Sequence, residues 1–176
     1  SLKENMQSVA KALGKDVREL TIMIQDRDRH STLMAQVLEL GAKLKLFSDV
    51  DITGAIATGI DGMDIDMLVG TGGAPEGVIT ATALKCLGGD FQGQLVPMNQ
   101  EEYDRCVQMG IENPTKIFEL DEIICTDDCL FSATAITDGM FLNGVRKLPS
   151  GKMSTHSLLL VGANTRNTKF IHTHHH

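Results

Sequence analysis

Short apolar runs alternate with segments of helical periodicity along the chain, and this alternation limits the possible folds more than any other feature. Residues 2–13 carry apolar side chains at helical spacing and are followed by Gly14, which predicts a helix that ends there. Residues 20–24 and 44–47 predict two short strands, and Ser31 is expected to cap a helix between them. The pattern predicts a layered α/β fold with a largely parallel or mixed sheet.

The rest of the chain continues this pattern, with more strands in its last third. The predicted elements are strands at residues 64–69, 91–96, 130–136, 154–161 and 169–171, and helices at residues 52–58, 76–87 and 100–109. With 176 residues, the chain has the length of about one domain. We therefore predict one domain over residues 1–171 and set the histidine-rich residues 172–176 apart as a tag-derived or disordered tail.

Composition and charge argue against two classes of partner. The chain has 16 Lys and Arg residues against 23 Asp and Glu residues, a net charge of −7, and 4% aromatic residues. Nucleic-acid binding needs clustered basic charge and stacking rings, so we expect no nucleic-acid partner. We also expect no membrane partner, because no apolar run approaches the roughly 18 residues of a membrane span. The four cysteines include no C-x-x-C pair, which favours a reduced set and a cytoplasmic location.

A polar cluster follows each of the first three main strands predicted. The clusters are Asp-Arg-Asp-Arg-His at residues 26–30, Asp-Val-Asp at residues 49–51 and Gly-Thr-Gly-Gly-Ala-Pro-Glu-Gly at residues 70–77. Any one of them alone is also compatible with a solvated turn. Because ligands of open α/β sheets bind at the carboxyl ends of the strands, the three clusters together predict one ligand-binding crevice.

The glycine-rich cluster is the most informative of the three. Its glycines let the backbone approach a ligand closely, and the amides of the helix that follows suit an anion. Pro75 fits the first turn of that helix, where a backbone N–H would be unpaired anyway. Glu76 is then either a metal ligand or a carboxylate that only stabilises the helix dipole. The spacing matches neither a dinucleotide fingerprint nor a P-loop.

The cluster at residues 26–30 offers two guanidinium groups. Arg27 and Arg29 are two residues apart and point the same way if the loop is extended, which would suit phosphate oxygens. Alternatively, these two arginines neutralise Asp26 and Asp28.

His30 and the aspartates at positions 49 and 51 are less decisive. His30 is a weaker candidate for the site, and a structural histidine with satisfied hydrogen bonds is favoured. Asp49 and Asp51 could accept hydrogen bonds from sugar hydroxyls or bind a metal, and Asp51 could instead cap the helix that follows.

Together with their flanking residues, these loops resemble class II fructose-1,6-bisphosphatases, some of which also act on sedoheptulose 1,7-bisphosphate. The most specific part of the resemblance is Gly-Gly-Ala-Pro-Glu-Gly-Val at residues 72–78, followed by Ala-Leu-Lys-Cys-Leu-Gly-Gly at residues 83–89. Residues 106–110, 128–134 and 155–158 are also similar to that family's C-terminal region. The resemblance therefore covers nearly the whole chain.

The resemblance implies a sugar-phosphatase α/β fold with a mixed sheet, of which the chain is the C-terminal half. It implies hydrolysis of the 1-phosphate of fructose 1,6-bisphosphate to fructose 6-phosphate, a reaction of gluconeogenesis that uses Mn²⁺ or Mg²⁺. Residues 27–29 would grip the distal phosphate and residues 49–51 would hold the sugar hydroxyls. By matched position, the substrate-binding residues are Arg27, Asp28, Arg29, Asp49, Val50, Asp51 and Gly73, and the metal ligand is Glu76.

Two departures from the family pattern limit what this chain is expected to do alone. Val50 stands where the family usually has glycine, and a β-branched residue disfavours the positive φ that glycine permits. The family's other metal carboxylates and its catalytic residue are expected in an N-terminal half that this chain lacks. We therefore expect a homo-oligomeric sugar bisphosphatase that needs both halves. A non-catalytic phosphate- or nucleotide-binding module and a regulatory or interaction domain are the alternatives.

Overall fold

Three parallel strands form the first sheet, in the order β2–β1–β3. They are β1 (Thr21–Gln25), β2 (Lys43–Phe47) and β3 (Met67–Leu68). The chain passes from β1 to the neighbour on one side and then to the neighbour on the other, so the strand order reverses at β1. The computed structural model describes residues 1–48, 51–162 and 166–175.

Two helices pack with one face of this sheet. Helix α1 (Leu2–Leu13) begins at a capping box on Ser1 and ends at Gly14, whose φ of 65° is a left-handed value that glycine adopts easily. Helix α2 (Ser31–Glu39) connects β1 to β2. Their buried side chains form one core with those of β1 and its flanks: Met6, Ala10, Leu20, Ile22, Ile24, Val37 and Ala42.

The start of α2 differs from the sequence prediction. Residues Asp28–His30 form a 3-10 turn that runs directly into α2, and the N-cap residue is His30. Ser31 has a φ of −53° and a ψ of −41°, which are helical values. The prediction of Ser31 as the cap is wrong, because the helical conformation begins before Ser31.

The opposite face of the first sheet packs against helix α3 (Asp51–Ala57). Side chains alternate across a strand, so Met23 faces away from its neighbours in β1 and joins a second core with Phe47, Ala57 and Ile65. Gly54 lets α3 approach closely, because a Cβ added there would lie 2.7 Å from Cδ1 of Leu68 and 2.8 Å from Cζ of Phe47.

Strand β3 is shorter than the six residues predicted for it. Asp64 has a φ of 49°, outside the extended region, which interrupts the strand conformation at its start. The Asp66 carboxylate then accepts hydrogen bonds from the Thr21 N–H at 2.8 Å and from Lys15 Nζ at 2.5 Å. The Asp66 side chain therefore accepts the hydrogen bond of the Thr21 N–H. A backbone carbonyl of β3 could have accepted it if β3 were longer.

The second sheet is antiparallel and is built around β8 (Met153–Val161). Strand β8 pairs with β6 (Leu130–Thr134), β7 (Arg146–Lys147) and β9 (Asn167–His175). Helix α4 (Ala74–Leu87) packs on α3 and on this sheet. The core between them contains Ile56, Ala83, Cys86, Phe131, Leu142, Leu158 and Leu160. Helices thus lie between a parallel and an antiparallel sheet, which confirms the prediction of a layered α/β fold.

The remaining elements form a small unit beside these layers. Strands β4 (Gln92–Gln94) and β5 (Ile117–Glu119) pair antiparallel, and the helices are α5 (Gln100–Gln108) and α6 (Leu120–Ile123). No helix within the described ranges is long and apolar enough to cross a membrane.

Strand β9 runs through His175, so residues 172–175, which were expected in a tail, pair with β8. All four cysteines are free thiols, as the sequence predicts. Cys86 lies with its Sγ 3.5 Å from Sγ of Cys129, and burial raises the pKa of the Cys86 thiol to about 11.

Candidate functional site

The first sheet brings two of the predicted polar clusters, residues 26–30 and 70–77, together at the carboxyl ends of its strands. We call this side of the sheet the strand-end edge. Its strands are parallel, so the loops that follow β1, β2 and β3 all leave from the same side. The loop after β1 stays bound to the end of β2, because the Asp26 N–H donates to the Phe47 carbonyl at 2.8 Å. On the other side, the Val69 N–H donates to the Met23 carbonyl at 3.1 Å. The loops after β1 and β3 therefore begin beside each other, at the strand ends where the sequence predicts a crevice.

The two arginines of the loop after β1 reach toward opposite neighbours. Arg27 donates from Nη2 to the carbonyl of Ser48, just past β2, at 3.4 Å. Arg29 donates from Nε to the carbonyl of Thr71, beyond β3, at 2.9 Å. Each guanidinium has five N–H donors, so these contacts leave both groups with further capacity for an anion.

This placement corrects the expectation that the two arginines point the same way. That expectation requires an extended loop, and the 3-10 turn Asp28–His30 rotates Arg29 away from Arg27. The alternative is that the arginines neutralise Asp26 and Asp28, but their hydrogen bonds do not go to these two carboxylates. Those bonds go to carbonyl oxygens and to one side-chain amide oxygen.

His30 is a fully buried residue that joins the loop after β1 to the glycine-rich loop. Its Nδ1 lies 2.9 Å from the Gln25 carbonyl, and its Nε2 accepts a hydrogen bond from the Thr71 N–H at 2.9 Å. Its ring also packs on Gly70, where an added Cβ would lie 3.3 Å from Cε1. The structure agrees with the expectation of a satisfied structural histidine and adds a specific partner across the site.

Helix α4 begins where the glycine-rich loop ends. Gly73 is its N-cap, and Pro75 lies in its first turn, where the sequence predicts the proline. Glu76 is exposed in the same turn, and its carboxylate folds back over Gly73, where an added Cβ would collide with Oε2. A residue with a side chain at position 73 would therefore displace this carboxylate.

A single carboxylate does not complete a cation site. Within residues 1–48, 51–162 and 166–175, no three His, Cys, Asp or Glu side chains come together in a way that could hold a metal ion. Mn²⁺ and Mg²⁺ need several oxygen ligands. Glu76 suits such a cation as one oxygen ligand, and the described part of the chain does not supply a complete set.

The other predicted site residues are placed less fully. Asp28 is exposed in the 3-10 turn, and Asp51 is the first residue of α3. Asp49 and Val50 lie outside the described residues, as does the side chain of Asp51.

A cavity of about 460 Å³ lies at the opposite end of α4 from Glu76. Its lining includes both basic and acidic side chains, among them Lys85, Asp121 and Asp127. Lys85 already donates to Asp121 Oδ1 at 2.7 Å and to the Ile124 carbonyl at 3.0 Å. The strand-end edge, rather than this cavity, carries the predicted phosphate-binding groups.

Two residues of the strand-end edge were missed by sequence reasoning. Thr71 contributes its backbone to both His30 and Arg29, and Gln25 accepts from Arg29 Nη2 through Oε1 at 2.8 Å. Their signal in the sequence is weak. Gln25 is a polar residue that closes an apolar strand, and Thr71 is the one residue with a hydroxyl in the glycine-rich loop.

This geometry defines an α/β protein in which two arginines and the N-terminus of a helix lie where the parallel strand order reverses. The sequence model of the family described as bacterial fructose-1,6-bisphosphatase, glpX-encoded, matches residues 1–175. The chain therefore belongs to the bacterial fructose-1,6-bisphosphatase family, as its resemblance to class II enzymes implies.

Curated relatives are similar along nearly the whole chain. A protein of Synechococcus sp. (strain JA-3-3Ab) named D-fructose 1,6-bisphosphatase class 2/sedoheptulose 1,7-bisphosphatase is 38% identical over 184 residues, which cover 98% of this chain and 52% of the relative. A protein of the same name from Synechocystis sp. (strain ATCC 27184 / PCC 6803 / Kazusa) is 35% identical, with 99% and 54% covered. The chain thus spans about half the length of the curated relatives it matches.

Proposed function

We propose that this chain supplies the substrate-gripping part of a metal-dependent sugar bisphosphatase that hydrolyses the 1-phosphate of fructose 1,6-bisphosphate to fructose 6-phosphate. Relatives of the chain are named as bisphosphatases of fructose and sedoheptulose. The observation that carries the proposal is the position of Arg27 and Arg29, which bracket the end of β1 on the same edge as the N-terminus of α4.

In this proposal, Arg27 and Arg29 bind the phosphate that does not react. A guanidinium keeps its charge at any physiological pH and donates in a planar fork that suits phosphate oxygens. The hydrogen bonds to the Ser48 and Thr71 carbonyls hold the two side chains toward the ends of β2 and β3. A distal phosphate would then lie near the end of β1, with Asp28 beside it on the turn.

The sugar is assigned to residues on either side of this phosphate. Asp49 and Asp51 would accept hydrogen bonds from its hydroxyl groups, with the Val50 backbone between them. Gly73 would contact the substrate from the glycine-rich loop, where the absence of a side chain permits close approach. These assignments come from matched positions in the family resemblance.

Glu76 is proposed as one ligand of Mn²⁺ or Mg²⁺ beside the phosphate that reacts. When bound, such a cation polarises phosphoryl oxygens and lowers the pKa of a bound water. The N-terminus of α4 would favour the negative charge of the carboxylate and of the phosphate. The further ligands and the group that activates water are assigned to residues outside this chain, so the chain alone is proposed to be inactive.

The remaining expectations belong to the same proposal. Residues 1–171 would form the C-terminal α/β domain of the enzyme, with an N-terminal half of the same protein as partner. The enzyme would be a cytoplasmic homo-oligomer that serves gluconeogenesis.

The test measures binding of fructose 6-phosphate, the proposed product, to the 176-residue chain by calorimetry. Wild-type protein should bind it saturably, fructose should not compete, and incubation with fructose 1,6-bisphosphate and Mn²⁺ should release no phosphate above background. Arg27→Ala and Arg29→Ala should each weaken binding about 10-fold or more, since each removes a charge-assisted hydrogen bond. Lys3→Ala, which removes a positive charge from the exposed face of α1, is the matched control and should leave binding unchanged.

Three results would contradict the proposal. Binding that neither arginine variant weakens would remove the phosphate assignment. Preference for a nucleotide at the same residues would support the non-catalytic binding module instead. Robust phosphate release by the 176-residue chain would show that the site is complete without a second half.

A further inference from the structure

A fully buried polar side chain, His30, links two loops of the site. His30 has no solvent exposure, and both of its ring nitrogens contact backbone groups of other segments. Thr71 follows β3 and lies 41 residues along the chain from His30. The contact is therefore made by the tertiary fold rather than by local geometry.

The hydrogen bonds fix the tautomer of His30. The Thr71 N–H can only donate, so Nε2 of His30 presents its lone pair to it at 2.9 Å, a shorter contact than the 3.3 Å from Nε2 to the Thr71 carbonyl. The Gln25 carbonyl can only accept, so the proton lies on Nδ1, also at 2.9 Å. The ring therefore spans from the last residue of β1 to the glycine-rich loop.

Arg29 binds the backbone carbonyl of Thr71, whose N–H is bound by His30. Its Nε donates to the Thr71 carbonyl at 2.9 Å, and its Nη2 donates to Oε1 of Gln25 at 2.8 Å. Both backbone groups of Thr71 are thus bound by consecutive residues of one loop, and both of those residues are anchored on Gln25. Two hydrogen bonds on opposite sides of one residue fix its orientation as well as its position.

Thr71 lies just before the N-terminus of α4. Gly72 alone separates Thr71 from the N-cap Gly73, and Glu76 follows in the first helical turn. Gly70, on the other side of Thr71, packs against the His30 ring. A shift of Thr71 would therefore change where Gly73 and the Glu76 carboxylate lie relative to the arginines.

We propose that His30 is a positioning residue of the bisphosphatase site, and that its hydrogen bond to Thr71 fixes the glycine-rich loop and the start of α4 for substrate and cation. This inference rests on the proposed function for its catalytic consequence. Its structural part, the hold of His30 on Thr71, is independent of any activity. Arg29 then both binds the distal phosphate and completes the hold.

The two substitutions that test the inference each keep one half of the ring's hydrogen bonding. His30→Gln can keep an acceptor near the Nε2 position and so preserve the bond from the Thr71 N–H. His30→Asn can keep a donor near the Nδ1 position for the Gln25 carbonyl and cannot reach Thr71. Both are neutral and polar, but asparagine is one methylene shorter than glutamine, so the amides of α1, which packs in the core beside β1, are the control for a general loss of packing.

The first measurement uses NMR on the 176-residue chain. In wild-type protein, the ¹⁵N shifts of the His30 ring should report a protonated Nδ1 and an unprotonated Nε2, and the Thr71 amide should exchange slowly with solvent. We expect Thr71 protection to fall at least 10-fold in His30→Asn and to be largely kept in His30→Gln, with amides of α1 unchanged in both. Unchanged Thr71 protection in His30→Asn, or the opposite tautomer in wild-type protein, would overturn the inference.

The second measurement uses a full-length enzyme that contains this sequence. His30→Asn should lower kcat for fructose 1,6-bisphosphate by about 100-fold, because a misplacement near 1 Å at a catalytic site has effects of that size. KM should rise by a smaller factor than kcat falls, and His30→Gln should recover most of kcat. An unchanged kcat in a variant whose Thr71 amide is unprotected would overturn the positioning role. Wild-type enzyme without bisphosphatase activity would instead overturn the proposed function, while the amide exchange would still decide the hold on Thr71.

Discussion

Two buried histidines lie in two different regions of this molecule, and they are held in opposite ways. At the strand-end edge of the first sheet, His30 has both ring nitrogens within 2.9 Å of backbone partners. In the second sheet, Nδ1 of His156 accepts from the Asn143 N–H at 3.1 Å, whereas Nε2 is buried with no hydrogen-bond partner in the part of the chain that the structure describes. The His156 ring stacks on His172 at 4.0 Å between centroids.

The comparison shows that hydrogen bonds fix the loops around His30 in the first sheet, whereas packing holds His156 in the second sheet. Satisfied hydrogen bonds to backbone groups restrict the direction and distance of a loop, which a binding site needs. A stacked ring with an unpartnered N–H contributes packing while leaving a desolvation cost of about 1–3 kcal/mol in place. We therefore expect changes at the strand-end edge to affect catalysis more than stability, and changes in the second sheet to do the reverse.

The largest effect expected at the strand-end edge comes from Glu76→Gln in the full-length enzyme. The amide keeps the shape of the side chain and removes the charge that a cation needs, so kcat should fall by about 100-fold or more while the melting temperature is unchanged. Steady-state kinetics over a range of Mn²⁺ concentrations makes the measurement. Glu112→Gln, at another exposed glutamate, is the control. Near-normal kcat at saturating Mn²⁺ would mean that Glu76 only stabilises the helix dipole.

The next largest effects come from the two arginines at the strand-end edge. Arg27→Ala and Arg29→Ala should each raise KM for fructose 1,6-bisphosphate about 10-fold or more and lower kcat less, since the proposed function assigns them the phosphate that does not react. Arg29→Ala alone should also speed exchange of the Thr71 amide, because Arg29 holds the Thr71 carbonyl. The KM effects should shrink for a substrate without the distal phosphate. Equal losses on both substrates would count against the assignment.

Two glycine substitutions compare the edge with the core. Gly54→Ala should destabilise the chain by about 1–3 kcal/mol, because the new Cβ would lie 2.7 Å from Leu68 Cδ1 in a packed core. Gly73→Ala meets only the end of the flexible Glu76 side chain, so the free energy of unfolding should change by about 0.5 kcal/mol or less while kcat falls. Denaturant titration and kinetics of both variants test this contrast. A larger stability loss at Gly73 than at Gly54 would reverse it.

The smallest expected effect is a pH dependence of stability from the second sheet. Burial, with a smaller contribution from the charge of His172, lowers the pKa of His156 below its ordinary value of 6.5. The unfolded chain then binds a proton more readily than the folded chain, so this stability is present above pH 6.5 and is lost as the pH falls through the folded-state pKa. His156→Phe should flatten the fall in unfolding free energy below pH 6.5, and an unchanged slope would remove His156 as its source.

Much of this site could be predicted from the sequence because its signals are local. A strand end, a glycine loop and a proline in a first helical turn each depend on neighbouring residues, and Gly73 and Pro75 lie where those signals place them. The direction of the arginines could not be predicted, because it depends on a 3-10 turn that residue spacing does not reveal. The hold of His30 on Thr71 joins residues 41 positions apart, so no local pattern contains it.

Helix α4 carries Glu76 at one end and buries Ala83 and Cys86 between α3 and the second sheet near the other. Cys86 follows Glu76 by ten residues, which is a lever arm of about 15 Å along a helix. A tilt of a few degrees at the packed end would therefore sweep the carboxylate through about 1 Å. The position of the Glu76 carboxylate thus depends partly on how well the thiol, alanine and leucine side chains pack around the other end of α4. A change of one methyl group in that packing would displace the carboxylate.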